Sequence, residues 1–192
     1  MLIHSFSSAP SAELVTKENT LAVIPLIEKC EPSELGVIHS GIEEASSALT
    51  NEVWSVQKPV TRGKSGKNYW SKTTDIICVA HWLSDDECKQ IEQSTCEAYL
   101  SIFKVLEQHG FPNPFRFWNY LPNINQGEGD DETYKLFCSG RLKAFEKLGI
   151  AADSFPAASA LGHRSDGAVI YVFSSSSKPQ HFKNRKQVNA YE

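Results

Sequence analysis

Hydrophobic and polar residues alternate in several parts of the chain with the period of two that is typical of β-strands. Residues 51–57 set Val53, Ser55 and Gln57 against Trp54 and Val56, and this alternation predicts a strand. Residues 74–83 and 168–173 are apolar at nearly every position, as in strands that are buried on both faces. These two runs predict the middle of a β-sheet.

Weaker strand patterns flank these runs. Residues 21–27 are apolar, but Pro25 cannot donate a hydrogen bond to a sheet and favours an edge strand or a loop. Residues 36–41 place β-favouring side chains between two glycines and predict a short strand. Residues 186–191 predict a return strand after the turn that follows residue 173.

Two segments are expected to lie outside regular structure. Residues 58–67 are rich in turn-forming and cationic residues, which predicts a loop between strands. Residues 1–20 are rich in Ser, Ala and polar residues, and we expect a weakly ordered arm or an extra edge strand there. Residues 21–192 then form a single domain.

Helix-like spacing follows the first buried strand. Ser84 and Glu87 have the spacing of a capping box, in which each side chain binds the backbone N–H of the other residue. Apolar residues then recur every three or four positions up to Gly110, which predicts one helix of about 25 residues. A helix of that length covers a wide sheet.

Residues 111–149 carry the most specific pattern in the chain. Pro112 and Pro114 favour extended backbone, so the aromatic run that follows predicts a strand. An asparagine-rich turn comes next, and we expect the side chains of Asn119, Asn123 and Asn125 to close it through bonds to the backbone.

A second helix is predicted after this turn. Asp130 and Asp131 are expected to cap it and to supply first-turn negative charge, and Gly149 to end it. The stripe of Tyr134, Phe137, Cys138, Arg141, Phe145 and Leu148 repeats at helical spacing. Gly140 allows another group to approach closely, either a ligand or simply a packed helix or strand. Two helices and several strands in this order predict an α+β fold, in which a mixed sheet is covered on one face by two helices.

Composition excludes some classes of function. The net charge of −4 over 192 residues provides no basic field for nucleic acid or an anionic membrane. The cationic cluster at residues 178–186 more often indicates a solvated edge than a binding site. Five cysteines without a C-x-x-C pair, and a first segment without a signal-peptide pattern, predict a reduced protein of the cytoplasm. The six histidines show no metal-ligand spacing, so we expect no metal and no cofactor.

Three ordered motifs resemble the chorismatases, the family of chorismate pyruvate-hydrolysing enzymes that includes 3-hydroxybenzoate synthases. The first motif comprises Arg116-Phe117-Trp118-Asn119-Tyr120, Pro122-Asn123-Ile124-Asn125, Tyr134, Phe137, Gly140-Arg141 and Ala144. The second covers residues 155–162 and the third residues 184–191. The matches fall in the amino-terminal half of the family pattern.

The resemblance implies a RidA/YjgF-like (chorismate mutase-like) domain, which in related proteins assembles as trimers or pseudo-trimers. It also implies that the catalytic acid and most chorismate contacts belong to the carboxy-terminal half of the family, which we expect on polypeptide beyond this chain. The partners expected are therefore a small carboxylate such as chorismate and either further copies, as a homo-trimer, or a partner chain.

Chorismate carries two carboxylates, so its site needs arginines, and cleavage of its enol ether needs a proton donor. The family motifs make Arg116, Asn119, Tyr120, Asn125, Arg141 and Tyr191 the candidates for substrate binding or for a subunit interface. Arg164, Glu128 and Glu132 lie near the motifs as further charged residues. A structural interpretation competes, in which Arg116 and Arg141 pair across the strand and the helix.

Three functions are open at this point. The chain is a chorismatase-type enzyme, alone or with a second chain, or it is a non-catalytic domain that serves as a binding or assembly partner. The enamine/imine deaminase activity of the wider RidA superfamily is a third option, but no residue matches the arginine motif of the deaminases.

Overall fold

The computed structural model describes residues 1–27, 29–31, 35–43 and 50–178. The strands in this part of the chain are β1 (Leu2–Ser7), β2 (Thr20–Pro25), β3 (Asn51–Val56), β4 (Thr61–Ser65), β5 (Asn68–Lys72), β6 (Ile76–Leu83), β7 (Asn113–Pro122), β8 (Ala157–His163) and β9 (Ala168–Ser175). The α-helices are α1 (Ser11–Thr16), α2 (Asp85–Cys88), α3 (Ile91–Gln108) and α4 (Thr133–Lys147). The return strand predicted at 186–191 lies outside the described residues.

The strands form two sheets. The larger one has six strands in the order β4-β5-β6-β9-β7-β8, and the smaller one has the order β1-β3-β2. All neighbours are antiparallel except β7 and β8, which run parallel, so the large sheet is mixed. Helices α3 and α4 cover one face of it. The predicted α+β class and the two helices over a mixed sheet are confirmed, whereas the RidA/YjgF-like assignment stays a prediction.

The two buried strands at the centre, β6 and β9, carry apolar side chains on both faces, as predicted. Ile170 and Val172 point into a core with α3 and α4, where Tyr99, Phe117 and Phe145 pack together. Tyr171 and Phe173 point to the other face, into a second core shared with the small sheet. The large sheet is therefore the middle of three layers.

Helices α3 and α4 pack closely because Gly140 has no side chain. A Cβ atom at position 140 would lie 2.1 Å from the carbonyl oxygen of Glu92 on α3. This contact confirms the packing interpretation of Gly140 rather than the ligand interpretation. Gly149 ends the helical segment with a φ of +67°, as predicted.

The predicted capping box is present, but the single long helix is not. The hydroxyl of Ser84 accepts a bond from the backbone N–H of Glu87, and the carboxylate of Glu87 accepts one from the N–H of Ser84. The backbone then leaves the helical region at Gln90, with φ −122° and ψ 48°, which separates α2 from α3. The hydroxyl of Ser94 donates to the carbonyl of Glu87 across this break, at 2.8 Å.

Two predictions for the amino-terminal half were wrong. Residues 36–41 form only an isolated bridge at Val37, because Gly36 and Gly41 have φ values of +93° and +74° that interrupt an extended strand. Residues 58–67 contain strand β4. A glycine is required within it, since a Cβ atom at Gly63 would lie 2.3 Å from the indole of Trp70 on β5.

Two further predictions need correction. Residues 1–20 hold strand β1, which pairs antiparallel with β3, so the edge-strand alternative describes them better than a weakly ordered arm. Asp130 and Asp131 form a 3-10 turn and do not cap α4, whose N-cap is Glu132.

Strand β2 does lie at an edge, as Pro25 predicted. No helix among the described residues is long and apolar enough to cross a bilayer.

Candidate functional site

On the sheet face opposite the helices, most side chains of β7 and β8 are less buried, within the described residues, than those of the central strand β9. Arg116, Trp118 and Tyr120 alternate on β7 toward the face opposite the helices, and Ser159 and Leu161 of β8 lie beside Trp118 and Tyr120 in the parallel register. The small sheet packs on β6, β9 and Tyr120, which is 6% exposed, whereas Trp118 is half-buried and Leu161 is 40% exposed. We name the group of Arg116, Trp118, Tyr120 and Ser159 the open aromatic face.

Arg116 is the cation of the open aromatic face. Its guanidinium donates a hydrogen bond to the hydroxyl of Ser159 and lies 5.2 Å from the centre of the Trp118 ring. No carboxylate of the described residues forms an ion pair with it. A guanidinium that is held by a hydroxyl and an aromatic ring keeps donors available for a carboxylate ligand.

Two buried phenols belong to or adjoin this face: Tyr120 itself and Tyr171 on β9. The ring of Tyr171 on β9 stacks on Trp118 with 4.8 Å between centroids and lies 6.0 Å from the ring of Tyr120. Burial raises the pKa of Tyr120 to about 12 and raises the pKa of Tyr171 well above its ordinary value. Both phenols therefore stay protonated near neutral pH and are able to donate hydrogen bonds.

Glu52 on β3 is the acidic residue near the two phenols, since its charge also contributes to their raised pKa values. Its carboxylate accepts a 2.8 Å bond from the indole N–H of Trp54 and lies 3.2 Å from Nε2 of His4. The ring of Trp54 lies 5.7 Å from that of Trp118, which brings β3 against the open aromatic face. Two neighbours thus already hold this carboxylate.

Asn119 and Arg141 lie on the helix side of the sheet, away from the open aromatic face. The amide of Asn119 is fully buried, where its Oδ1 accepts a 2.8 Å bond from the hydroxyl of Tyr99 and its Nδ2 donates to the carbonyl of Ser159. The guanidinium of Arg141 lies 5.7 Å from the ring centre of Phe145 on the same helix. The predicted turn role of Asn119 and the predicted pairing of Arg116 with Arg141 were therefore both wrong.

Asn125 lies in a third place, the cleft at the carboxyl ends of β7 and β8. The turn predicted there is present and places Asn123 in the left-handed region, with a φ of +47°. A cavity of about 630 Å³ is lined by residues 123–126 together with Gly162, His163 and Arg164. We name it the strand-end cleft. His163 did not stand out in the sequence because a lone histidine carries no motif.

Among the six candidates, the structure brings Arg116 and Tyr120 together on one sheet face and Asn119 and Arg141 together at Tyr99 on the helix side. Asn125 lies elsewhere in the fold, and Tyr191 lies outside the described residues. Within the described ranges, no group of three His, Cys, Asp or Glu side chains is placed to hold a metal ion.

Comparison with known proteins identifies relatives of this chain. Residues 52–174 match the family model described as Chorismatase FkbO/Hyg5-like, N-terminal. A 3-hydroxybenzoate synthase of Streptomyces hygroscopicus is 38% identical over 101 residues, which is 52% of this chain and 30% of that protein. A chorismatase of Streptomyces rapamycinicus is 28% identical over 153 residues, or 79% of this chain and 44% of that protein.

A crystal structure of a chorismatase shares the fold. It superposes with a TM-score of 0.79 at 23% identity, covering 93% of this chain and 55% of the chorismatase chain. The chain spans from 30% to 44% of the length of these curated relatives. With more than half of its residues matched by the family model, the chain belongs to the FkbO/Hyg5-like chorismatase N-terminal family.

Proposed function

We propose that the chain contributes one part of a chorismatase-type active site, which acts on chorismate to release pyruvate and a hydroxybenzoate or a dihydroxy-cyclohexadiene carboxylate. Membership of the family and the similarity to a 3-hydroxybenzoate synthase and a chorismatase support this substrate class. The observation that carries the proposal is the half-buried Arg116 guanidinium, held over Trp118 and paired with no carboxylate of the described residues.

The chemistry of the open aromatic face suits a flat, unsaturated ring that bears a carboxylate. Arg116 would bind the carboxylate through paired N–H donors, and the indole of Trp118 would lie against the ring. Tyr120 is 6% exposed and its hydroxyl lies beside Tyr171, so it would support the rings of this face rather than contact the ligand.

Cleavage of the enol ether also needs a proton donor whose pKa is near the working pH. Tyr120 and Tyr171 are too weakly acidic for this task, because burial raises their pKa values. The carboxylate of Glu52 is already engaged by Trp54 and His4. The reactive acid is therefore proposed to come from outside the described residues of this face, either from another segment or from a second chain.

Pyruvate release tests this proposal. The purified chain is incubated with chorismate, alone and mixed with the carboxy-terminal half of the S. rapamycinicus chorismatase, and pyruvate is followed by lactate dehydrogenase and NADH. We expect release in the mixture and little or none with either part alone. Arg116→Ala should abolish it, while Arg141→Ala, which removes an arginine on the opposite sheet face, serves as the matched control. No release in the mixture at high protein concentration would count against the proposal.

A non-catalytic role as a binding or assembly partner is the second candidate. It is favoured by the state of Glu52, whose carboxylate is already held by Trp54 and His4. Among the described residues, the open aromatic face therefore has no acid that is free to act on a ligand. Chorismate binding without pyruvate release in the mixture would support this role. The trimeric assembly stays a prediction, and sedimentation equilibrium of the purified chain would test it.

A further inference from the structure

The strand-end cleft contains a buried imidazole whose nitrogens make no hydrogen bond of ordinary geometry within the described residues, although backbone groups of Tyr120 and Ser165 lie near the ring. His163 is 7% exposed, and neither of its ring nitrogens has a hydrogen-bond partner among the described residues. The hydroxyl of Ser165, two residues later, is buried without a partner as well. Buried polar atoms nearly always have partners, since each one left alone costs roughly 1–3 kcal/mol. A ligand in the cleft would supply the missing bonds.

The imidazole is fixed in place by the backbone around it. Gly41, with a φ of +74°, lies so close that a Cβ atom there would be 2.7 Å from Cγ of His163. The backbone N–H of Asn123 donates to the carbonyl of His163 at 3.2 Å, which ties the end of β8 to the turn after β7. The ring therefore forms the wall between two openings, the 630 Å³ cleft and an adjoining cavity of about 270 Å³.

The charges on these walls favour an anion. Arg164 lines both openings, is exposed, and makes no ion pair within the described part of the chain. Asn125 adds a carboxamide to the wall of the larger opening. Glu43 is the acidic residue of these walls, and it lines only the smaller cavity.

We infer that the strand-end cleft binds a small carboxylate, with Arg164 as the bidentate donor and His163 and Asn125 as the further hydrogen-bond donors. A planar guanidinium matches the two oxygens of a carboxylate better than it matches other small anions. The amide N–H groups of Asn125 and one N–H of the imidazole can donate hydrogen bonds to the oxygens of the bound carboxylate.

This site lies at the opposite end of β8 from Arg116 and does not rest on the proposed function. Arg116 lies beside Ala157 at the start of β8, whereas His163 is the last residue of that strand. Six residues of extended backbone span about 20 Å. One ligand of the size of chorismate cannot contact both residues.

The inference predicts a dependence on pH. Burial lowers the pKa of His163, and backbone groups of Tyr120 and Ser165 near the ring oppose the fall in part. Glu43 and Arg164 are the charged side chains that face this region from the neighbouring segments. A bound carboxylate stabilises the imidazolium, so affinity should rise as the pH falls toward the lowered pKa that His163 has in the free protein.

Acetate is the probe that tests the site. The C–H resonances of the His163 imidazole are followed by NMR as sodium acetate is added to the purified chain at constant ionic strength, with inorganic phosphate in a parallel titration. We expect a saturable shift with acetate and an increase in the pKa of His163 in the bound state. Saturation by phosphate alone, or no saturable shift with acetate, would overturn the inference.

Variants assign the donors. Arg164→Ala removes an exposed side chain and should fold normally, and we expect it to weaken acetate binding by about tenfold or more. Arg164→Lys keeps the charge without the paired donors and should recover only part of the affinity. Lys104→Ala, which removes an exposed cation of α3, is the control and should leave the affinity unchanged. Equal affinity in the wild type and Arg164→Ala would contradict the inference.

Discussion

The hydroxyl of Tyr99 on α3 donates a 2.8 Å hydrogen bond to Oδ1 of Asn119 on β7, and neither residue has exposed surface. The amide of Asn119 also donates a hydrogen bond to the carbonyl of Ser159 on β8. The hydroxyl of Ser159 in turn accepts the bond from Arg116 on the opposite sheet face. A buried polar chain thus links the helix layer to the guanidinium of the open aromatic face.

Tyr99→Phe should destabilise the fold by about 1–3 kcal/mol, because it leaves Oδ1 of Asn119 buried without a donor. The free energy of unfolding is measured by urea titration with far-UV circular dichroism. Tyr69→Phe, at a half-buried tyrosine on β5, is the matched control and should change stability by less. Equal losses in the two variants would show that the bond between Tyr99 and Asn119 contributes little.

Gly140→Ala should destabilise the protein, although alanine is the better helix former by about 1 kcal/mol. The new methyl group would meet the carbonyl oxygen of Glu92 at 2.1 Å, and the overpacking costs about 1–3 kcal/mol beyond the gain in propensity. The midpoint of thermal unfolding reports the change. Glu146→Ala, at an exposed site on the same helix, should unfold near the wild-type temperature. A Gly140→Ala protein that is as stable as wild type would mean that α3 and α4 are farther apart.

Ser84→Ala should cost about 1 kcal/mol, since it removes the hydroxyl that caps α2 and leaves the N–H of Glu87 without its acceptor. Ser84→Thr keeps the hydroxyl and should restore most of the loss. Urea unfolding of the three proteins measures the difference. A threonine variant no more stable than the alanine variant would indicate that the side chain at position 84 does not act as a cap.

Stability should fall as pH decreases from about 6.5 to about 4, because burial lowers the pKa of His81 to about 4 in the folded protein. The unfolded chain binds a proton in this window while the folded chain does not, so acidification favours unfolding. This contribution to the free energy of unfolding is present in full above pH 6.5. About 3 kcal/mol of it is lost by about pH 4.

His81→Gln tests this assignment, since glutamine does not titrate and can still donate to Oδ1 of Asn68, which lies 2.8 Å from Nδ1 of His81. The slope of unfolding free energy against pH should be smaller in the variant between pH 6.5 and 4.5. Carboxylates such as Glu92, whose pKa is lowered by its bond from Lys143, produce a separate loss at more acidic pH in both proteins. An unchanged slope would assign the pH dependence to other groups.

Local patterns predicted the parts of the fold that depend on neighbouring residues. The capping box at Ser84 and the doubly buried strand β9 follow from spacing alone, because helix caps and strand faces are set within a few residues. Strand β8 was missed, since its run of Ala, Ser and Gly has low strand propensity and depends on pairing with β7.

The candidate site was predicted less well because its contacts are tertiary. Asn119 resembled its turn neighbours Asn123 and Asn125 in sequence, but its partners Tyr99 and Ser159 lie 20 and 40 residues away. Arg116 was found through its motif, whereas the burial of His163 depends on Gly41, which no spacing rule connects to it.

Chorismate binding by isothermal titration calorimetry tests the central claim, that Arg116 on the open aromatic face binds a carboxylate of the substrate. Wild type, Arg116→Ala and Arg141→Ala are titrated at the same pH and ionic strength. We predict saturable binding to wild type, a loss of about tenfold or more in affinity for Arg116→Ala, and a change within about twofold for Arg141→Ala. Affinity that is unchanged in Arg116→Ala, or lost equally in both variants, would contradict the claim.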